Sequence, residues 1–248
     1  MAGATVLLRV QDPAYRCLLE RTLTRRMYHA ICSDLDDTLL AQVVHHEPEV
    51  LLLDDRELVA CVPLRQRFRR LSIIGVGDRP DPGRAIFALD QGADDYVAAP
   101  FAPAELAARI EALLRRYQQM ESKEKADDAV LWSEDGYVVL DGVASRLLVG
   151  GQPVHVTPIE WALLHCLMAH AGRVLTHRTV LQQVWGQAYG SEASYVRVYI
   201  RHLRTKVEHD PTHPQYILTE PGVGYLFAAA RSTGTGVAVA AKAEGGAR

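Results

Sequence analysis

No run of this 248-residue chain is long and apolar enough, at about 18 residues, to read as a membrane-spanning helix. The opening residues, MAGATVLLRV, lack the basic region and cleavage site of a secretory leader, so none is expected. Cysteine is sparse: Cys17, Cys32, Cys61 and Cys166 are scattered without C-x-x-C spacing. That excludes a disulfide or zinc framework and fits small core residues in a reducing cytoplasm. The formal net charge is only −3, so no global field pulls the chain toward nucleic acid or lipid, and any anion-binding surface must be local. There is no Gly-rich phosphate loop and no nucleophile–base signature. Histidine is more frequent, but His45 and His46 fall at a helix end, and His165 and His170 are five residues apart and do not share a helix face. No enzyme activity, cofactor or metal is expected.

The length suggests two domains. The first half alternates strand-like runs (Thr5–Val10, His29–Ser33, Val50–Asp54, Ser72–Val76 and Asp95–Ala98) with amphipathic helical stretches. Such repeats predict a parallel sheet with helices on both faces. Within it, the apolar run Val50 to Leu53 ends abruptly in Asp54 and Asp55. In open α/β sheets the carboxyl ends of the strands are where ligands and chemistry sit, so Asp54 is a candidate working group. The charged, aromatic-free MESKEKADDA segment reads as a linker. The expected organisation is a domain over 1–118, a linker over 119–129, a second domain over 130–230 and a disordered tail over 231–248.

The second half opens with short β runs punctuated by glycine. Thr157, Pro158 and Glu160 then form a capping box at a helix start, and Gly172 closes that helix. A short helix follows between Thr176 and Gly186, then a longer one over 192–208, then two strand runs around Pro221-Gly222 that read as a hairpin. This order is a winged helix-turn-helix pattern. On the longer helix Val196, Ile200, Leu203 and Val207 make one buried stripe. Arg197, Arg201, His202, Arg204, Thr205 and Lys206 lie off it. A basic helix face is often merely solvated. Anchored on its apolar side beside a hairpin, it has the form of a major-groove reader.

The motifs TPIEWALLHCLMAHAGRVLTHRTVLQQVWG, YVRVYIRHLRTKVEHDP and YILTEPGVGY resemble the effector domain of OmpR/PhoB response regulators, in wording nearest their potassium-transport (KdpE-type) branch. The resemblance covers about residues 130–228. It implies a winged-helix domain binding double-stranded DNA, with direct-repeat operators and RNA polymerase contacts in the turn before the recognition helix. It adds Thr176, Arg178, Gly222 and Tyr225 to the expected DNA contacts. Pro221 stands where many relatives carry the wing arginine, which removes a minor-groove contact. Effector-domain wording alone does not fix the regulated genes.

Residues 4–118 resemble a receiver domain, which implies a flavodoxin-like (βα)5 fold. Asp54 matches its phospho-acceptor. Forming an aspartyl phosphate demands a divalent cation and a lysine to neutralise charge. The acidic-pair positions here hold Val10 and Gln11, with only Asp12 adjacent. The switch hydroxyl position holds Gly77, and the lysine position holds Ala99. The expectation is a retained fold without phosphorelay chemistry. The resemblance also implies a symmetric dimer interface at Asp95, Glu105, Arg109 and Arg116, with Ala85, beside Arg84, at the usual basic position. Exposed ion pairs are worth only about 0–1 kcal/mol, so apolar burial must dominate such an interface. Three readings follow: a dimeric regulator independent of phosphorylation, the same regulator gated by a ligand on its receiver, and a protein adaptor that no longer binds DNA.

Overall fold

In the computed structural model, which describes residues 3–68, 70–121, 130–186, 189 and 192–232, the first half builds a five-stranded parallel sheet. Its strands are β1 (Thr5–Arg9), β2 (His29–Cys32), β3 (Val50–Asp54), β4 (Ser72–Gly77) and β5 (Asp95–Ala98), in the order β2-β1-β3-β4-β5. Helices α1 (Pro13–Thr24), α2 (Leu39–His46), α3 (Cys61–Arg67), α4 (Pro82–Asp90) and α5 (Pro103–Glu121) connect and follow them. Every residue of β3 and β4 is buried, which is why these strands read as continuous apolar runs rather than alternating ones. Three of the helices start on a side-chain cap: Asp12 accepts from Tyr15 N at 2.8 Å, Thr38 from Ala41 N, and Asp81 from Gly83 N and Arg84 N.

Two glycines on β4 shape the strand tips. A Cβ at Gly75 would stand 2.8 Å from the Tyr96 ring, and one at Gly77 would collide with the Tyr96 hydroxyl. Gly75 and Tyr96 are register partners across β4 and β5. The glycines therefore make the groove in which the Tyr96 ring lies.

The second half begins with β6 (Val130–Ser133), β7 (Val138–Asp141), β8 (Arg146–Val149) and β9 (Gln152–Val154), an antiparallel meander. Then come α6 (Pro158–Ala169), β10 (Leu175–Thr176), α7 (His177–Val184), α8 (Ala193–Val207), β11 (Ile217–Glu220) and β12 (Gly224–Phe227). Strands β10, β12 and β11 form the small sheet of the wing. The hairpin turns at Pro221-Gly222, where Gly222 takes φ +75° and Val223 N–H closes on Glu220 O at 3.0 Å. Both halves of the capping box are present: Glu160 N–H donates to the Thr157 hydroxyl at 3.3 Å, and Thr157 N–H donates to the Glu160 carboxylate at 2.7 Å. At the far end of α8 the Glu208 carboxylate accepts from the amides of Gln215, Tyr216 and Ile217, tying that helix to the wing.

Two boundaries differ from the sequence expectation. Helix α5 runs on to Glu121, into the stretch expected as linker; residues 122–129 lie outside the described residues. The expected tail begins inside β13 (Ala230–Ser232), which pairs antiparallel with β6; residues 233–248 lie outside the described residues.

Replacing Thr157 by Ala removes one half of the capping box and is expected to cost about 1 kcal/mol of stability, with Thr157→Ser close to wild type. Chemical denaturation of the full chain, followed at the effector-domain tryptophans, checks this.

Candidate nucleic-acid interface and strand-tip site

At the tip of β3, Asp54 is 7% exposed, and both its carboxylate oxygens are engaged by the backbone. Oδ2 accepts from Gln11 N at 2.9 Å, and Oδ1 accepts from Arg56 N at 3.1 Å, capping the 3-10 turn Asp55–Ala60. Val10 is buried in the core, and the Gln11 amide bonds Glu57 and the Arg56 guanidinium, each at 3.3 Å. Asp12 is the cap of α1. Ala99 and Val76 help line a cavity of about 390 Å³ with Asp12, Tyr15, Asp54 and Asp78. The Tyr15 hydroxyl donates to Gly77 O at 3.2 Å; its pKa is pushed up first by burial and then by Tyr96 and nearby acids. Tyr96 is pushed up to about 12, by burial and then by Asp55, to which its hydroxyl donates at 3.4 Å. Arg84 completes this corner by pairing with Asp55 at 3.5 Å.

This donor set does not fit a divalent cation. Carboxylates line the cavity but are engaged elsewhere: Asp54 already accepts two N–H bonds, Asp12 is a helix cap, Asp55 pairs with Arg84 and accepts from Tyr96, and the Arg56 guanidinium lines the same site. Among the described residues no cluster of three or more His, Cys, Asp or Glu side chains is arranged to hold a metal.

On α8 the expected stripe Val196, Ile200, Leu203 and Val207 is buried. Its cations divide into two kinds. Arg204 bonds Ile217 O at 2.7 Å and the Thr219 hydroxyl at 2.8 Å, and lies 6.0 Å over the Tyr225 ring. Lys206 pairs with Glu160 at 2.5 Å. These two therefore brace the helix against the wing and against α6. Arg197 and Arg201 are exposed, as is Arg178 on α7. Thr205 bonds His202 O at 2.7 Å. Thr176 caps α7 through Thr179 N, Tyr225 is buried, and Gly222 forms the exposed wing tip. The turn expected to meet polymerase has residues 187, 188, 190 and 191 outside the described residues.

A second stripe on α8 was not anticipated. Tyr195, Tyr199, His202 and Lys206 follow one another at i, i+4, i+7 and i+11, the spacing of a single helix face. This face rests on the receiver. The Tyr195 hydroxyl donates to Tyr96 O at 2.8 Å, and that of Tyr199 donates to Ala93 O at 3.0 Å. Tyr189, in the turn before α8, donates to the Asp95 carboxylate. Asp90, at the end of α4, pairs with Arg201 and lies 3.4 Å from His202. The His202 pKa is lowered by burial, partly opposed by Glu160 and Asp90.

The residues expected at a dimer interface lie in this seam. Asp95 is fully buried and takes Arg109 at 3.1 Å; Arg109 also pairs with Glu105 at 2.9 Å and with Glu192 of the effector domain at 3.2 Å. Arg109 sits 4.3 Å from the Tyr189 ring centre. Arg116 donates from Nε to Val184 O at 2.6 Å. In this arrangement Asp95, Arg109 and Arg116 face the chain's own effector domain. The i, i+4, i+7 tyrosine–histidine spacing was the available sequence signal; the receiver partners Asp90 and Asp94 carried none.

A family model described as "Transcriptional regulatory protein, C terminal" matches residues 151–227. The chain is 34% identical over 230 residues to the transcriptional regulatory protein KdpE of Mycobacterium tuberculosis, across 91% of this chain and 100% of that one. It is 36% identical over 192 residues to the KDP operon transcriptional regulatory protein KdpE of Escherichia coli, across 76% and 83% of the two chains. Among solved structures a RitR mutant shares the fold with a TM-score of 0.66 at 22% identity, over 92% of this chain and 100% of that one. No helix among the described residues is long and apolar enough to cross a membrane. With a full-length relative at this identity, a parallel-sheet receiver and a winged helix carrying exposed arginines, the chain belongs to the OmpR/PhoB family of response regulators and is a DNA-binding transcriptional regulator.

Proposed function

We propose that this regulator acts in the cytoplasm as a homodimer on direct-repeat operators, without aspartate phosphorylation. The observation that carries the reading is the state of Asp54. Its two oxygens hold backbone amides, while the positions that would supply metal ligands and a lysine are Val10, Gln11 and Ala99. An aspartyl phosphate formed there would carry close to two negative charges beside Asp55, Asp12 and Asp78, with only Arg56 as a neighbouring cation among the lining residues. The Asp54 carboxylate serves instead as the cap of the turn after β3. Gly77 lacks the switch hydroxyl, and the Tyr96 ring takes the space above it.

On DNA, Arg197 and Arg201 of α8 face base edges, Arg178 and the Thr176 region face phosphates, and Gly222 leads the wing. Arg204 and Lys206 hold the helix in place. Pairing of two receivers uses Asp95, Glu105, Arg109 and Arg116, and polymerase meets the turn before α8. A second reading, in which a ligand gates the receiver, is favoured by the 390 Å³ strand-tip cavity with its apolar wall of Ala14, Leu18, Val76 and Ala99.

Light scattering on the full chain, with and without Mg²⁺ and beryllofluoride or acetyl phosphate, tests the central point. The expected mass is the same under all conditions, with no acid-labile phosphate incorporated. Stoichiometric incorporation at Asp54 that shifts monomer to dimer would overturn the reading.

Once an operator has been selected from random DNA, Arg201→Ala and Arg197→Ala are each expected to weaken binding by about 1–3 kcal/mol and to relax base preference. Arg204→Ala is expected to lower the thermal midpoint as well, because its guanidinium fastens β11 to α8. Gel shift and differential scanning calorimetry distinguish the two classes.

A further inference from the structure

We infer that the buried guanidinium of Arg116 and the indole N–H of Trp185 form a binding site for one small, weakly hydrated monovalent anion, chloride or a halide like it.

The site is built at the carboxyl end of α7. Arg116, on α5, donates from Nε to Val184 O at 2.6 Å, and Trp185 is the next residue along the chain. Both side chains are buried: Arg116 is 6% exposed, and Trp185 has no exposure. Both terminal nitrogens of Arg116 and the indole nitrogen of Trp185 lack a partner among the described residues. A guanidinium carries five N–H donors and no acceptor, and here only the one on Nε is used. With the indole, an unmatched set of N–H groups thus gathers at one end of a helix.

The surrounding acids are committed elsewhere. Asp94 is held by Arg65 and accepts from Ile73 N–H at 2.8 Å. Asp95 is held by Arg109 and by the Tyr189 hydroxyl. Glu105 and Glu192 reach Arg109 from the more exposed side of the seam. These groups act on Arg116 through their charge alone. Burial pushes its pKa down, against Tyr189, Asp95, Asp94 and Tyr199, which raise it.

A buried charge without a hydrogen-bonded partner is costly. Arginine does not escape that cost by losing its proton. A water molecule is a poor remedy: it makes about three hydrogen bonds, its own protons still need acceptors, and it brings no charge. An anion accepts from several N–H groups at once and neutralises the guanidinium. Hydration selects the ion. The Trp185 ring packs against those of Tyr199 and Tyr195, at centroid separations of 5.4 and 6.5 Å, so the indole side of the site is aromatic and dry. The cost of moving an ion out of water grows with the square of its charge, which favours a halide over sulfate. The anion joins α5 of the receiver to the end of α7. It gives the protein a response to a particular anion, separate from the general screening that weakens DNA binding.

The test compares the full chain in sodium chloride and in sodium gluconate at matched ionic strength. The wild-type thermal midpoint is expected to rise saturably with chloride. At about ten times the dissociation constant, the folding equilibrium should shift roughly ten-fold toward the native state. Arg116→Met, which keeps an apolar stem and removes the charge, should lose the difference between the two salts. Bromide gives a readout at the site itself, because a heavy halide touching an indole quenches its fluorescence. Wild type should show a saturable quenching component that Trp185→Phe lacks, above the linear quenching of the partly exposed Trp132 and Trp161. Trp185 has no part in the proposed receiver pairing, so this signal reports the site and not association. In wild type alone, chloride should compete away the saturable component and gluconate should not, a comparison that needs no substitution. Equal midpoints in the two salts, or bromide quenching that is purely linear or indifferent to chloride, would overturn the inference.

Discussion

The arrangement of the two domains depends on one buried carboxylate. Asp95 has no solvent exposure, and a charge in that position must be paired and hydrogen-bonded or it destabilises the fold. Arg109 of α5 supplies the counter-charge and the Tyr189 hydroxyl a further donor. Burial alone would push the Arg109 pKa down, but Asp95 and the surrounding phenols drive it up, so the guanidinium stays charged. Tyr189 feels the opposite balance and keeps its proton. Two of the three groups belong to the receiver and one to the effector domain. A pair that would otherwise be an internal receiver contact therefore becomes the anchor of the seam. Removing one partner of such a buried pair typically costs 3–5 kcal/mol. That cost explains why the anchor is built from a matched set rather than from surface charges.

The same logic of occupied groups accounts for the strand tips. Asp54 persists at the end of β3 because a carboxylate there caps the following turn, a task that needs no lysine and no metal. Asp12 persists as the cap of α1. Around them the small residues Gly75 and Gly77 let the Tyr96 ring lie inward with its hydroxyl toward Asp55. The backbone of Tyr96 is at the same time the partner of Tyr195 on α8. One residue thus reaches Asp55, a lining residue of the strand-tip cavity, through its side chain and the recognition helix through its main chain, a link between the two sites through a single intermediate residue.

Much of this architecture is legible in the sequence. The strand runs, the Thr157 capping box, the 192–208 helix and the Pro221-Gly222 turn follow from local rules, and the structure places those elements within a residue or so of where the pattern puts them. What the pattern misses is long-range. Arg204 and Lys206 look like free cations because nothing local pairs them; their partners, Ile217, Thr219 and Glu160, come from the wing and from α6. The strand Ala230–Ser232 has no strand-like composition and forms because β6 offers it an edge. The tyrosine stripe on α8 has a readable period, but a helix with two buried faces reveals only that it has two neighbours. It does not say that the second neighbour is the receiver.

The electrostatics of α8 follow from that division. Of its four arginines and lysines, Arg204 and Lys206 are held inside the effector domain and Arg201 is held by Asp90, leaving Arg197 as the exposed cation without a described partner. Each phosphate contact contributes about 0.9 to the logarithmic salt slope of binding, so the cations already paired within the chain are the ones whose pairing DNA must replace. With a chain-wide charge of −3 there is no background field to compensate.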